Sequence, residues 1–396
     1  MKGMPRIIRT VSSRLILVLL VSCTLIASAA FSQAIASGGI SMTTRDRLKT
    51  PAFWPTKGGA QREEYAGTAE CAKCHSGIAK SQATTPMAQA SSFAGESPIL
   101  REHPALNFRS GAYEYRIIYS KTSIQYDVSN GMKLLAAPPL TWAFGLGNKG
   151  QTFLYTQGDV LYESRLSFYK SLQALDVTTG NLHAESYSLE GSLGRMMDRD
   201  EARRCFACHT SESTTNNQFV PDQALPGVIC ESCHGPGRNH VLTMKSGQIE
   251  AGRKAVLNPR KLKPVDSVDF CGACHRTWGD VLEAGIKGIA NVRFQPYRLE
   301  NSRCWGSGDT RLTCIVCHNP HEPLVHEARA YDAKCLDCHI TAVRGKPDKD
   351  HPGAPCPVST TNCVACHMPK VEFPSMHAAF TDHLIRIVRP GASYPN

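Results

Sequence analysis

Cys71-Ala72-Lys73-Cys74-His75 is one of seven copies of a single pentapeptide, Cys-x-x-Cys-His. The second copy is Cys205, Cys208 and His209; the third is Cys230, Cys233 and His234; the fourth is Cys271, Cys274 and His275. The fifth is Cys314, Cys317 and His318; the sixth is Cys335, Cys338 and His339; the seventh is Cys363, Cys366 and His367. With two thiols in each copy, they use 14 of the 17 cysteines. Two thiols three positions apart, followed at once by an imidazole, form the attachment pattern of c-type haem. The thiols bond covalently to the porphyrin edge and the next residue takes the iron from the proximal side. The competing reading is zinc, because a paired CxxC is also half of a structural zinc site. Histidine frequency decides between them. With 15 His in 396 residues, chance places one after a given CxxC about 4% of the time, and zinc has no need of it there. Seven of seven selects haem c, seven copies covalently attached.

The N-terminus supplies the compartment. Lys2, Arg6, Arg9 and Arg14 precede an apolar run over 15–30, and small residues follow, including Ala34-Ile35-Ala36. This reads as a signal peptide over 1–36, cleaved near Ala36 or alternatively after Ala29. A retained anchor is one alternative; a lipoprotein held through Cys23 of Leu20-Val21-Ser22-Cys23 is another. Export and haem c agree, since this haem is attached outside the bacterial cytoplasmic membrane. The expected location is therefore periplasmic or extracellular. No later stretch is apolar enough to span a bilayer, so no transmembrane segment is expected after cleavage.

The net charge of +10 becomes +6 without the four leader bases (10 − 4). A basic surface often means nucleic acid. Here each haem brings two propionates that need counter-charge, so no nucleic-acid partner is expected. Aromatic residues make up only 7% of the chain, which fits a core built partly of porphyrin. The apoprotein should fold poorly, because cofactor binding and folding share one free energy.

Motif spacing divides the chain. Cys71 and Cys205 are 134 residues apart, whereas later motifs start 25, 41, 43, 21 and 28 residues after one another. The divisions are a leader (1–36), an N-terminal segment with haem 1 (37–105), a β-rich haem-free segment (106–190) and a hexahaem region (191–396). The stretches 112–120, 123–128, 151–156 and 160–169 are rich in Tyr, Ile, Val and Phe. Turn signals such as Ser129-Asn130-Gly131 and Gln157-Gly158-Asp159 separate them, so an antiparallel meander is expected. In the hexahaem region short helices are expected over 195–206, 241–246 and 324–336, with irregular links at 221–227, 258–264 and 345–357. The fold class is a multihaem cytochrome c. Short helices and irregular chain wrap stacked haems, with an antiparallel β insertion between haems 1 and 2.

Eight histidines lie outside the motifs: His103, His183, His240, His321, His326, His351, His377 and His383. Eight spares for seven irons favours mostly bis-histidine ligation. His321 follows His318 by three residues and His240 follows His234 by six. Segments so short cannot pass round a porphyrin to its other face, so each is expected on a neighbouring haem. His383, His103 and His377 complete the expected distal set, while His183, His326 and His351 rank below them. Iron with two histidines has no open position and suits electron transfer.

With these residues placed, the chain resembles the bacterial multihaem cytochrome family related to cytochrome c-554, the pentahaem and octahaem nitrite reductases and hydroxylamine oxidoreductase. The likeness covers about residues 65–387. It rests on the first motif with Thr85-Pro86-Met87-Ala88, on Cys230-Glu231-Ser232-Cys233-His234-Gly235-Pro236-Gly237 with His240, and on Ser302-Arg303-Cys304. Residues 314–321 and 363–369, and Thr381-Asp382-His383, complete it. Two departures bear on function. Many relatives carry a distal His where this chain has Met87, leaving Met87 either as a ligand that raises that haem's potential or as a packed side chain. The catalytic haem of the related nitrite reductases has Lys in place of the motif His, and all seven motifs here end in His. Cys304 and Cys356 are left over; a disulfide, a Cys304 thiolate ligand and two unpaired thiols all stay open.

The expected function is electron transfer along closely spaced haems, from a membrane quinol-linked donor to another redox protein in the periplasm or outside the cell. Homo-oligomerisation is left open. The alternative is a multihaem reductase or oxidase of a small nitrogen or sulfur compound with one five-coordinate haem; a structural haem filament is a third class.

Overall fold

The apolar alternation after the first motif closes into two antiparallel sheets. The computed structural model describes residues 60–181, 188–306, 312–339, 356–389 and 391–395. Its strands are β1 (Ser91–Phe93), β2 (Ala105–Ser110), β3 (Tyr113–Tyr119), β4 (Ile124–Asn130), β5 (Lys133–Ala136), β6 (Leu140–Phe144), β7 (Gly150–Gln157), β8 (Val160–Tyr169), β9 (Ala174–Val177) and β10 (Gly194–Met196). Strands β2 to β5 form a meander. The second sheet runs β1-β6-β7-β8-β10, with β9 also paired to β8. The inward residues Leu106, Ile117, Tyr126 and Val128 of the meander pack on Phe153, Leu166, Phe168 and Leu175 of the second sheet. This is face-to-face sheet packing around one shared core.

The second sheet is apolar on its other face too. A bulge between Leu140 and Trp142 shifts the register, so Leu140 faces the inter-sheet core while Trp142 turns outward; a bulge re-aims side chains in this way. On that outer face Trp142, Phe144, Leu154 and Leu161 meet Ala202 and Phe206 of the helix Arg199–His209. The second motif is thereby seated on the sheet. Gly194 lets β10 approach β8: its φ is +147°, and a Cβ there would overlap the Glu163 carbonyl oxygen.

Beyond the sheets the chain is short helices and irregular links. Thr68–Ala72, Cys230–His234, Pro264–His275, Asp332–His339 and Cys363–His367 carry motif residues. A hairpin, Lys370–Phe373 with Ala378–Thr381, precedes the C-terminal segment. In this half Val281, Phe294 and Tyr297 form a small apolar cluster, with Val268, Val292, Leu299 and Leu384 buried as well.

Strands β3, β4, β7 and β8 fall where alternation places them. The sheets extend beyond 106–190, because β1 and β10 enter from the flanking segments. The helix expected at 195 starts at Arg199, since Arg195 is spent in β10 and Asp198 Oδ1 caps by accepting Glu201 N–H at 2.8 Å. That expected over 324–336 is shorter: a 3-10 turn, Ala328–Tyr331, leads into Asp332–His339. The third runs Arg238–Lys245 instead of 241–246. The irregular link at 258–264 ends at Pro264, which opens a twelve-residue helix from its first position. The leader with Cys23, His183, His351 and most of 345–357 lie outside the described residues. No described helix is long and apolar enough to cross a membrane.

Candidate haem sites

Three motif histidines are oriented through their Nδ1 atoms. His209 Nδ1 donates to Ala90 O at 3.0 Å, His234 Nδ1 to Leu257 O at 2.8 Å and His367 Nδ1 to Arg386 O at 2.9 Å. Two spare histidines do the same: His240 Nδ1 to Gly252 O at 2.8 Å and His383 Nδ1 to Thr381 O at 3.0 Å. A carbonyl only accepts, so Nδ1 carries the proton and Nε2 keeps its lone pair for a metal. Burial pushes the His383 imidazole down to about 4, and it also lowers His209, His275, His318 and His321. The neutral ring is the ligating form.

Three motif rings each face a spare ring. His75 and His240 have centroids 6.5 Å apart with planes within 22°. His234 and His321 are 6.0 Å apart and within 12°, and His318 and His383 are 6.2 Å apart at 42°. A metal–imidazole bond of about 2 Å on each side, plus about 1 Å from nitrogen to ring centre, sets axial imidazoles about 6 Å apart. The pairs therefore fit one iron each. They also follow a rule: the spare ring comes from the chain after the third motif for the first, after the fifth for the third, and after the seventh for the fifth.

The surroundings fit a macrocycle as well. Ile78, Leu242, Trp278, Ile315, Leu324 and Val325 stand exposed beside the motifs or their partner rings, and a porphyrin would cover such apolar side chains. A tetrahedral zinc site would need three or four converging ligands, and no such group of His, Cys, Asp and Glu occurs among the described residues.

The thiols show which motifs adjoin. A hydrogen bond between Cys71 and Cys230 pushes the first thiol up and pulls the second down to about 6. Cys271 and Cys314 are shifted apart in the same way. Cys208 Sγ lies 3.7 Å from Ala273 O while Cys274 Sγ lies 3.9 Å from Ala207 O, a reciprocal contact between the second and fourth motifs. Burial raises Cys335, and the nearby Cys317 thiol adds to the rise. Burial also pushes Cys363 up to about 12, with Asp332 and Cys335 adding to it.

In the last two motifs the structure brings the first thiols, Cys335 and Cys363, together. Cys338 is half-buried near the end of the helix Asp332–His339, and Cys366 is exposed near the end of Cys363–His367. Cys74 and Cys274 are exposed second thiols as well. A thiol three positions along a helix lies on nearly the same face as the first. Each second thiol can therefore reach the same porphyrin edge as the first thiol of its motif.

Carboxylates fasten adjoining motifs together. Glu231, inside the third motif, accepts Ala66 N–H and Gly67 N–H at 2.8 Å each, at the start of the helix carrying Cys71, and Gly237 N–H at 2.7 Å. Asp332 accepts Asn362 N–H at 2.6 Å and Cys363 N–H at 2.8 Å, at the start of the seventh-motif helix. In both cases a carboxylate meets the positive end of a partner helix. Reading the sequence alone singles out neither Glu231 nor Asp332. The available signal is an acidic residue inside or just before a motif.

Other expected ligands are engaged elsewhere. His377 Nε2 bonds Asp176 Oδ2 at 2.8 Å and its ring meets Tyr169 edge-on, so the nitrogen that would seek iron is already used. His103 lays its ring 5.0 Å from Phe168, at the end of a helix packed against the sheets. His326 is exposed. The Met87 carbonyl accepts Val228 N–H at 2.9 Å, tying its segment to the third motif. No disulfide joins Cys304 and Cys356.

Comparison with known proteins agrees with this chemistry. The family described as Cytochrome c554 and c-prime matches residues 164–235, which contain the second and third motifs. Cytochrome c-554 of Nitrosomonas europaea is 37% identical over 92 residues, 20% of this chain and 37% of that protein. High-molecular-weight cytochrome c of Nitratidesulfovibrio vulgaris is 24% identical over 174 residues, 42% of this chain and 26% of that protein. The chain thus spans about a quarter to a third of these relatives. The solved outer cell wall cytochrome OcwA superposes with a TM-score of 0.45 at 15% identity, over 82% of this chain and 80% of that one. Motifs, ring geometry and sequence relatives together define a multihaem c-type cytochrome. Within that class the match to the c554 family falls on the part that carries the second and third motifs.

Proposed function

We propose that the chain is an exported heptahaem electron carrier, working in the periplasm or outside the cell between a quinol-linked membrane donor and another redox protein. The observation that carries this is the set of three imidazole pairs, His75/His240, His234/His321 and His318/His383. Each pair would hold one haem iron from both sides and leave no open position there for a substrate. Haem c supplies a reversible one-electron couple at each motif.

The residues also set an order. Cys71 touches Cys230, Cys233 lies close enough to raise Cys271, Cys271 bonds Cys314, Cys317 raises Cys335, and Cys335 adjoins Cys363. Numbered along the sequence, the motifs then adjoin as 1-3-4-5-6-7. The second branches from the fourth through Cys208 and Cys274. The lone N-terminal motif thus stands at one end of the line, and the last two stand at the other.

The test is spectroscopic and kinetic on the mature protein. A predominantly low-spin spectrum, a broad potentiometric titration and little reduction of nitrite, hydroxylamine, tetrathionate or sulfite are expected. Carbon monoxide binding at one haem together with rapid turnover of one of these compounds would replace the electron carrier with a reductase.

A further inference from the structure

We propose that the buried Arg298–Asp382 ion pair is a positioning device for two iron ligands at once, His383 and His367. The proposal rests on the reading of those histidines as haem ligands. Both partners are fully buried, with Arg298 Nε 2.8 Å from Asp382 Oδ1 and Arg298 Nη2 3.0 Å from Oδ2. The remaining capacity of the carboxylate is spent on its own segment. Oδ1 accepts Leu384 N–H at 3.0 Å, and Oδ2 accepts Arg386 Nη1 at 2.5 Å. His383 lies between these contacts.

The peptide on either side of His383 is held from just beyond the helix Gln295–Glu300, which carries Arg298. Ser302, four residues after Arg298, accepts Ile385 N–H at 2.9 Å and donates to His383 O at 3.2 Å. Asp382 N–H bonds Pro369 O at 3.0 Å. Arg298 is itself fixed by Pro395 O at 3.0 Å and by the Tyr394 ring, 4.8 Å from its guanidinium carbon. The second ligand is reached through Arg386. Its side chain is on Asp382, its carbonyl accepts His367 Nδ1, and its N–H returns to His367 O at 3.2 Å. One carboxylate therefore sets the distal ring of the fifth motif and the proximal ring of the seventh.

Stability does not account for the pair. A buried ion pair is often matched or exceeded by apolar side chains of the same shape, because desolvation cancels most of the attraction. Directional bonds to the segment bearing a ligand are what an apolar replacement lacks. The bidentate Arg–carboxylate fork fixes orientation as well as distance.

Three variants of the full mature protein separate the cases: His383→Ala, Arg298→Met with Asp382→Leu, and Arg298→Lys. Haem count by mass, spin state, carbon monoxide binding and potentiometric titration are read for each. His383→Ala should convert one haem to high spin with new carbon monoxide binding. The double variant should keep seven haems, yet lose part of the same low-spin signal, gain carbon monoxide binding and shift a second haem's potential. Arg298→Lys keeps the charge but not the fork and should give a smaller change of the same kind; it carries the test where the double variant does not mature. If His383→Ala opens a haem while the clamp variants keep the wild-type spectrum and potentials, the positioning role is overturned. If His383→Ala opens none, the ligand reading fails and the clamp falls with it.

Discussion

A histidine becomes an iron ligand by three separate choices: which nitrogen is protonated, where the ring sits, and what faces it. At His234 all three are visible, with Nδ1 on Leu257 O and His321 facing it at 6.0 Å. Replacing His321 by Ala should therefore open one iron while all seven haems stay attached, producing a high-spin component and carbon monoxide binding; an unchanged low-spin spectrum would return His321 to an ordinary side chain. Met87 gives the converse case. With His240 facing His75 at 6.5 Å, Met87→Leu should leave the low-spin signal undiminished and the potentials within error. A fall in one potential would mark the thioether as a ligand. Part of this was legible in sequence. Spacings of three and six residues forbid His321 and His240 from reaching round their own porphyrins, but the identity of the rings they meet depends on how motifs far apart in sequence pack. His377 shows the limit. Its neighbour Asp176 is 201 residues away, beyond any local pattern.

Elements here are placed by polar straps as much as by apolar faces. The helix Thr68–Ala72 buries no side chain of its own, and Glu231 accepts two N–H groups at its start and a third from Gly237. Removing that acceptor strands donors that cost about 1–3 kcal/mol each when buried unpaired. Glu231→Ala should thus destabilise the docking of the first motif on the third by several kcal/mol, and Glu231→Gln by less. Denaturant unfolding followed at the haem absorbance checks both; equal midpoints for wild type and Glu231→Ala would remove the strap from the account. The strands were readable where both partners alternate, as in β3 and β4. Strand β6 was not, because its bulge breaks the alternation between Leu140 and Trp142. Nor was β1, only three residues long and paired with a strand some fifty residues on. The helix Pro264–His275 had a legible start in Pro264, but its buried face includes Asp266, Ser267 and Asp269, which no apolar period reveals.

Across the whole molecule, side-chain core and haem motifs are unevenly distributed. Both large apolar clusters lie between Ala94 and Ala224, in the sheets and the helix seated on them. Among the described residues of the chain bearing the five later motifs, the apolar cluster is small, Val281, Phe294 and Tyr297, with Trp278, Leu324 and Val325 left exposed. A segment with so little apolar burial cannot offset the entropy of ordering its backbone, so its stability must come from covalent haem, whose binding free energy is shared with folding. The mature protein should accordingly be heavier than its polypeptide by about 0.6 kDa for each of seven haems. The apoprotein, made in cells unable to attach haem c, should be folded only in part. Limited proteolysis of it is expected to leave a fragment of about residues 91–226 protected by the two-sheet core, with the chain beyond rapidly cut, whereas the mature protein should resist throughout. Residues 91–226 would be the sole survivor because β1 enters the second sheet at Ser91 and the bridge of Thr210–Ser211 to Leu225–Pro226 closes the chain over it. An apoprotein as resistant after 226 as before it would mean that the chain bearing the last five motifs carries its own fold, and that haem occupies it without building it.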